Sequence, residues 1–529
     1  MALVRDAARN TVHRQRARSV SRAIRIGARR SVLARVQSHL VGRALLQRDS
    51  TLSIRYVFIE TSGDRSVEQS AALVTARGGF AEDLQQMLRS GTIDLAVHSW
   101  KDLPLSSPAA TEVVATLPRA DARDVLLVRR DFLPGIGTRN LRILSSSARR
   151  RHHLEEFLGW ALPTRPLGVS FLPVRGDIGM RLRKLLRGDG DALVIAKAAI
   201  DRLLAFNPAE LAAAGVGDQS RLENEQQHLH EALAACRVMV LPLLHCPAAP
   251  AQGALALEVR HDSPLRHLLG DINDADSFDL VLAERAAASR MGDEEALGIT
   301  GLRFPYGDIE FVRGSAASET FERVALHRRG SSLPRPQSPD ALWTGSEHFA
   351  EDRERLPIAT EPTIFDRHVG LLVARSEALP YGLRADHDNV VWTAGLSTWR
   401  KLAVRGIWVT GSDESLGETG AVAIRPWFPQ SQQWLKLTHA EGHWTPLANL
   451  VATYRTRRRH TVVPVERFSH FFWNSGTQLR DYLRAFPTLR NAWHGCGPGN
   501  TYSIAVDLLG TERVRPFLNA RHFRDELLS

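Results

Sequence analysis

Cysteine and lysine are the scarce residues of this 529-residue chain, at three and five copies. Cys236, Cys246 and Cys496 cannot build a disulfide framework; this excludes the disulfide-stapled secreted class and points to a reducing compartment. No stretch approaches the roughly 18–20 consecutive apolar residues that a membrane-crossing helix needs. A cytoplasmic protein without a membrane partner is therefore expected. Zinc-ligand spacing, a helix-turn-helix signature and interleaved aromatic and basic residues are all missing, which removes the usual routes to nucleic-acid binding. There is no short-period repeat and no long low-complexity tract. With 43% apolar and 24% charged residues, the composition is that of folded globular chains. At roughly 100–200 residues per domain, the length predicts about three or four domains.

What the chain has instead is arginine: 63 of its 68 basic residues, with a net charge of +10. Basicity of this size favours an acidic partner. Where lysine survives among so much arginine, a compact ammonium rather than a planar fork is the feature being kept.

Residues 1–21 form a basic leader rich in Arg, Ala and Ser. It reads as a disordered extension or, alternatively, as an organellar transit peptide. From Ile24 the pattern alternates strand and helix: IRIG, SVLARVQSHLVGRALL, IRYVFIET, FAEDLQQMLRSG, TIDLAVHSW. Such alternation predicts an open α/β sheet. A second α/β unit runs from VLLVRR to ALVIAKAAIDRLL, and a third follows, with a helix at 279–291 and a strand near FPYGDIEFVRG. Residues 329–362, rich in Pro, Ser and charge, read as a linker. Beyond it Trp and His become more frequent and α/β signals return. The boundaries are 22–117 with 239–260, 118–238, 261–328, and 363–529.

The most informative local feature is AVHSWKDLP at 96–104. Lys101 and Asp102 fall where a strand ends, the place where ligands bind in open α/β sheets. Paired there, the lysine would keep the carboxylate ionised and ready to stabilise a cation. A second feature is a set of arginines at loops and helix starts: Arg29, Arg149, Arg150, Arg175 and Arg181. Arg149 and Arg150 follow the run Ser145–Ser147, whose hydroxyls stand at a helix start. Arginine forks bind carboxylates bidentately and helix starts favour anions. Facing one cleft, these groups would hold a small molecule bearing many carboxylates.

These segments, taken in order over residues 22–327, resemble porphobilinogen deaminase, also called hydroxymethylbilane synthase. The resemblance is carried by IRIGARRSVLARVQ, TSGDRSVEQSAALVTARGGFAEDL, AVHSWKDLP, SSSARRRH, VRGDIGMRLRKL, PAQGALALEVR and LAERAAASR. It implies two doubly wound domains like those of type II periplasmic binding proteins, flanking a cleft, and a small α/β third domain. It implies a transferase of porphyrin and haem biosynthesis that joins four porphobilinogens head to tail and releases ammonia. The family extends a dipyrromethane primer attached through a thioether to a cysteine. By position, Asp102 would be the catalytic carboxylate, stabilising the pyrrole N–H cation. Arg29, Ser31, Lys101, Ser147, Arg149, Arg150, Arg175 and Arg181 would hold the acetate and propionate groups of primer and substrate. The expected partners are porphobilinogen and the linear tetrapyrrole, and the expected state is a monomer.

One departure bears on the chemistry. Where the family carries the anchoring cysteine, the loop here reads MGDEEALGITG, with Glu295 at that position. A carboxylate would give at best a labile ester, and it adds negative charge beside a polyanionic primer. Either the primer is held without a thioether, or the cleft serves a non-catalytic carrier of a carboxylate-rich pyrrole.

Residues 363–529 resemble a shortened uroporphyrinogen-III synthase, an α/β protein, through VVWTAGLSTWRKLAVRGIWVTG, VATYRT, FFWNSGTQLRDYL and HGCGPGNTYSIAVDLLG. About 90 residues of the usual first lobe are absent or compressed by this match. Tyr454, Ser475 and Thr501 are its candidate binding groups. Linear hydroxymethylbilane cyclises spontaneously to the wrong isomer, so a tethered synthase would gain from high effective concentration. No metal site is expected.

Overall fold

The computed structural model describes residues 23–60, 81–106, 110–292, 296–316, 319–344, 353–358, 368–380, 389–417, 422–429, 433–440, 442, 448–458, 465 and 467–529. The basic leader, Glu295 and part of the expected linker lie outside them.

The chain opens with β1 (Ile24–Arg29), α1 (Val32–Arg48), β2 (Ile54–Ile59), α2 (Glu82–Arg89), β3 (Leu95–Ser99) and β4 (Thr111–Ala115). It then crosses to a second unit: β5 (Asp124–Arg129), β6 (Asn140–Leu144), α3 (Ala148–Ala161), β7 (Gly168–Leu172), α4 (Ile178–Leu186), β8 (Ala192–Ala196), α5 (Lys197–Ala205), α6 (Pro208–Ala213), α7 (Gln219–Ala235) and β9 (Cys236–Val240). It returns to the first unit as β10 (Leu255–Arg260). The strand orders are β2-β1-β3-β10-β4 and β7-β6-β8-β5-β9. In each sheet one strand runs against its neighbours, β10 in the first and β5 in the second. These are the strands that follow the two crossings between units, so segments 116–123 and 241–254 together form a hinge. Strands such as β8 (ALVIA) are buried along their whole length, as expected of a sheet covered by helices on both faces.

A third unit follows with α8 (Arg266–Asp271), α9 (Ala275–Met291) and the antiparallel strands β11 (Gly298–Phe304), β12 (Gly307–Ala316) and β13 (Glu319–Arg328). The rest of the chain supplies β14 (Leu342–Trp343), β15 (Arg353–Pro357), β16 (Val369–Val373), β17 (Val390–Thr393), α10 (Leu396–Val404), β18 (Gly411–Ser412), β19 (Gln433–His439), β20 (Asn449–Arg458), β21 (His470–Trp473), α11 (Gly476–Ala485), β22 (Trp493–Cys496), α12 (Asn500–Leu509), β23 (Val514–Pro516) and α13 (Ala520–Leu528). These form two sheets, β15-β20-β19-β16-β17-β18 and β14-β21-β22-β23.

Segment 329–362, expected as a linker, is not free where it is described. Leu333 is buried against Phe517 and Phe523, β14 pairs with β21 and β15 with β20. Both strands are short sheet edges, where proline and charge are tolerated, and neither alternates enough to be read as a strand. The C-terminal part is not a loose appendage either. Two apolar cores of the second unit run on into it, one joining Leu126 and Phe157 to Leu371 and Trp399, the other joining Leu127 and Leu193 to Trp392 and Trp427.

Candidate active site

Strand β3 ends in a single 3-10 turn, Trp100–Asp102. Trp100 fixes that turn: its backbone N–H donates to Ala254 O at 3.1 Å, and its buried ring packs on Phe278 at 5.3 Å. Lys101 and Asp102 are thereby placed at the carboxyl end of a central strand. Asp102 is exposed, and its carboxylate accepts no hydrogen bond among the described residues.

Lys101 Nζ donates to Gln252 Oε1 at 3.1 Å. Gln252, 1% exposed, turns its amide nitrogen to Ala122 O at 2.6 Å and to Asp124 Oδ1 at 2.9 Å. Asp124 also accepts from Arg149 Nη2 at 2.7 Å and from Arg150 Nη2 at 2.7 Å and Nε at 3.1 Å. One chain of contacts therefore runs from Lys101 in the first unit, through the hinge, to two arginines in the second. Burial would push Asp124 up, but Arg150, Arg149 and Lys101 outweigh it and hold the carboxylate far below its ordinary range. Burial draws Lys101 down to about 8, against the opposing pull of Asp102 and Asp124.

Arg150 has a third anchor, from Nη1 to Val194 O at 3.1 Å. Arg149 is buried, with its other nitrogen on Pro247 O at 2.7 Å. Arg181 comes from α4. Gly176, at φ 103°, makes the left-handed turn that lets Asp177 cap α4 through the Met180 N–H at 2.9 Å; a side chain there would be strained. Arg181 Nε then reaches back to Gly176 O at 2.9 Å. Burial lowers Arg181 to about 10, with Arg150 and Arg29 adding to the shift and Asp102 opposing it. Arg29, Asp102 and Arg181 thus lie in one electrostatic neighbourhood across the cleft. Arg175 is half-buried and makes no hydrogen bond among the described residues. Ser31 and Ser147 cap α1 and α3, accepting from Ala34 N–H and Arg150 N–H, each at 3.3 Å.

The arrangement gathers cations around the exposed carboxylate of Asp102, with exposed Asp177 also acting on Arg181. Its donors suit a ligand rich in carboxylates. They do not supply a sulphur to anchor one. Cys236, Cys246 and Cys496 are buried in three separate cores, and burial raises all three thiols, Cys236 to about 12. A dipyrromethane would fit the arginines and lysine but find no thiol in the cleft among the described residues. Glu295, at the expected anchor position, lies outside them.

Two residues of this network escaped the sequence reading, Asp124 and Gln252. Gln252 stands inside the quoted segment PAQGALALEVR, and Asp124 opens an apolar strand. A charged residue at the mouth of a buried run is the available signal, but its partners lie 25 to 128 positions away.

In the C-terminal part, Ser475 caps α11, accepting from Gln478 N–H at 3.2 Å, and Thr501 lies in the first turn of α12. These helices follow the neighbouring parallel strands β21 and β22, so the two residues share one edge of that sheet. Tyr454 belongs to the other sheet. It is buried, with its ring against His439 at 6.0 Å.

A model of the family porphobilinogen deaminase, dipyromethane cofactor binding domain, matches residues 24–266. A porphobilinogen deaminase of Mycobacterium tuberculosis is 35% identical over 306 residues, covering 57% of this chain and 84% of its own. One from Acidithiobacillus ferrooxidans is 30% identical over 306 residues, covering 58% of this chain and 88% of its own. Among solved structures, the methionine-binding protein MetQ aligns with 50% of this chain and 96% of its own at 11% identity and a TM-score of 0.28.

Proposed function

We propose that this chain, which belongs to the porphobilinogen deaminase family, condenses four porphobilinogens head to tail into linear hydroxymethylbilane in the cleft around Asp102. The family places it among the transferases of tetrapyrrole biosynthesis that polymerise porphobilinogen, with a dipyrromethane-binding domain. The observation that carries the finer reading is the contact chain Lys101–Gln252–Asp124–Arg149/Arg150, with Asp102 beside it accepting no hydrogen bond among the described residues.

The division of labour follows from burial as well as from partners. Arg149 is buried on Asp124 and Pro247, so its part is to fix Asp124; Arg150 is held by Asp124 and Val194 but is the less buried of the two. Lys101, Arg29, Arg150, Arg175 and Arg181 then meet the acetate and propionate groups, with Ser31 and Ser147 holding the helix starts beside them. Loss of the amine as ammonia leaves positive charge on the pyrrole, and Asp102 stabilises it. A charge-directed contact of this kind is worth roughly 3–4 kcal/mol in the transition state. A dipyrromethane bound here would supply the free α-position to which the first substrate is joined.

Glu295 and the burial of all three thiols favour a primer held by its carboxylates alone. The intact mass of purified protein tests this. The expected mass is that of the polypeptide; an excess equal to two linked pyrroles would contradict it. Glu295→Cys should then raise primer retention and turnover. No gain in either would show that this loop does not anchor the primer. A non-catalytic carrier is the second reading, favoured by the same Glu295, and it predicts tight tetrapyrrole binding with no consumption of porphobilinogen. For the C-terminal part we propose cyclisation of the product to uroporphyrinogen III, supported by Ser475 and Thr501 at helix starts along one sheet edge. The isomer made by the full chain, compared with Thr501→Ala, tests it.

A further inference from the structure

None of the groups placed around Asp102 comes from beyond the third unit, yet the C-terminal part grips the rest of the chain at three places. At the second unit, Val240 N–H on the edge strand β9 donates to Thr410 O at 2.7 Å. Trp408 Nε1 donates to Val238 O at 2.9 Å and Trp399 Nε1 to Ala161 O at 3.0 Å. At the hinge, Arg123 Nη1 donates to Ser412 O at 3.2 Å. The two carboxylate oxygens of Glu414 accept the backbone N–H groups of Leu243 and Leu244 at 2.8 and 2.9 Å. One short turn therefore holds both crossing segments. At the third unit, Tyr306 Oη donates to Pro498 O at 2.9 Å and Arg328 pairs with Glu526.

That turn is unusual in itself. Glu414 and Ser415 are consecutive non-glycine residues at φ 53° and 64°, a left-handed backbone that persists only where the surroundings over-determine it. The surroundings are close: a Cβ on Gly499 would come within 2.3 Å of Ser415 O, and one on Gly395 within 2.6 Å of Ser415 Oγ. The third unit touches the second directly, where Arg313 pairs with Glu156 and Thr320 meets His152, and it is fastened to the first. Arg285 donates to Leu103 O at 3.3 Å, and Trp100 packs on Phe278. The contacts thus close a ring: first unit, third unit, C-terminal part, second unit, and back across the cleft.

We propose that the C-terminal part is a strut across the hinge, limiting how far the first two units can open. If the third unit follows the first, rotation about the crossings at 116–123 and 241–254 parts it from the second, both at their direct contacts and at the C-terminal part. The C-terminal part spans those two bodies, so wide opening must break one of its footings. Glu414 is the most exposed to this, since losing its carboxylate leaves two hinge N–H groups without an acceptor. The strut is independent of which reaction the cleft runs.

The test is a distance measurement on the full chain. All three native cysteines are buried, so spin labels can be placed at Ser50→Cys and Leu167→Cys, exposed positions in the first and second units. Electron–electron double resonance then reads their separation in this background, with Glu414→Ala, with Glu414→Gln, and with Arg328→Ala combined with Tyr306→Phe. A narrow distribution is expected in the background. It should broaden to longer distances in Glu414→Ala and in the Arg328/Tyr306 double variant, and less in Glu414→Gln, which keeps an acceptor oxygen. Hydrogen exchange at Leu243 and Leu244 should quicken at least tenfold in Glu414→Ala. If Glu414→Ala does not fold, the double variant, at the opposite footing, decides alone. The same distribution in every folded variant would overturn the strut.

Discussion

Arg149 and Arg175 show how two residues of one type, in one cleft, divide into different tasks. Arg149→Ala removes one of the two arginines that neutralise a buried Asp124 and should cost about 3 kcal/mol of stability, read by denaturant unfolding. Arg175→Ala removes no partner among the described residues; it should leave the unfolding midpoint unchanged and weaken uroporphyrin binding. Equal stability losses in the two variants would contradict this division. Lys101 adds a pH dependence. Its ammonium is drawn down to about 8 by burial, and bound carboxylates favour the protonated form. Binding should therefore take up protons near pH 8 and weaken as pH rises through that value, and Lys101→Met should flatten the profile. Calorimetric titration of uroporphyrin in buffers of different ionisation enthalpy measures both effects. The presence of Lys101, Asp102 and the arginines was legible in the sequence because each sits in a short segment with strand and helix signals around it. Which arginines are committed to Asp124 was not, because that depends on Asp124 and Gln252, far away in the chain.

At the scale of elements, the helix starts do two jobs. Ser147 caps α3 through the Arg150 N–H and so sets the direction in which Arg150 leaves the helix. Ser147→Ala should cost about 1 kcal/mol of stability and weaken uroporphyrin binding as well; a stability loss with unchanged affinity would show that the cap does not orient Arg150. Helices α1, α3, α4 and α9 were legible because their apolar residues recur at helical spacing and their caps are Ser or Asp. β14 and β15 were not, being short edges in a stretch rich in proline and charge. The crossings were not either, because a hinge is defined by pairing between distant strands.

Over the whole molecule, the apolar residues of 369–437 read from sequence as the core of a separate domain, whereas several of them complete the core of the second unit. A periodic pattern says that a face is buried, not what buries it. Trp399, fully buried with its indole N–H on Ala161 O, stands at that junction. Trp399→Ala should cost roughly 3–5 kcal/mol and lower the transition of both halves together; two separated transitions, with the deaminase half unmoved, would contradict a shared core.

The central claim is that this cleft is a working porphobilinogen-condensing site whose reacting-centre carboxylate is Asp102. Hydroxymethylbilane formation from porphobilinogen by the full chain, wild type against Asp102→Ala, with uroporphyrin affinity measured alongside, tests it most directly. Measurable turnover is expected in the wild type and a loss of at least about a hundredfold in Asp102→Ala, with uroporphyrin affinity changed little. Wild-type turnover in Asp102→Ala, or no product from the wild type while uroporphyrin still binds, would contradict it.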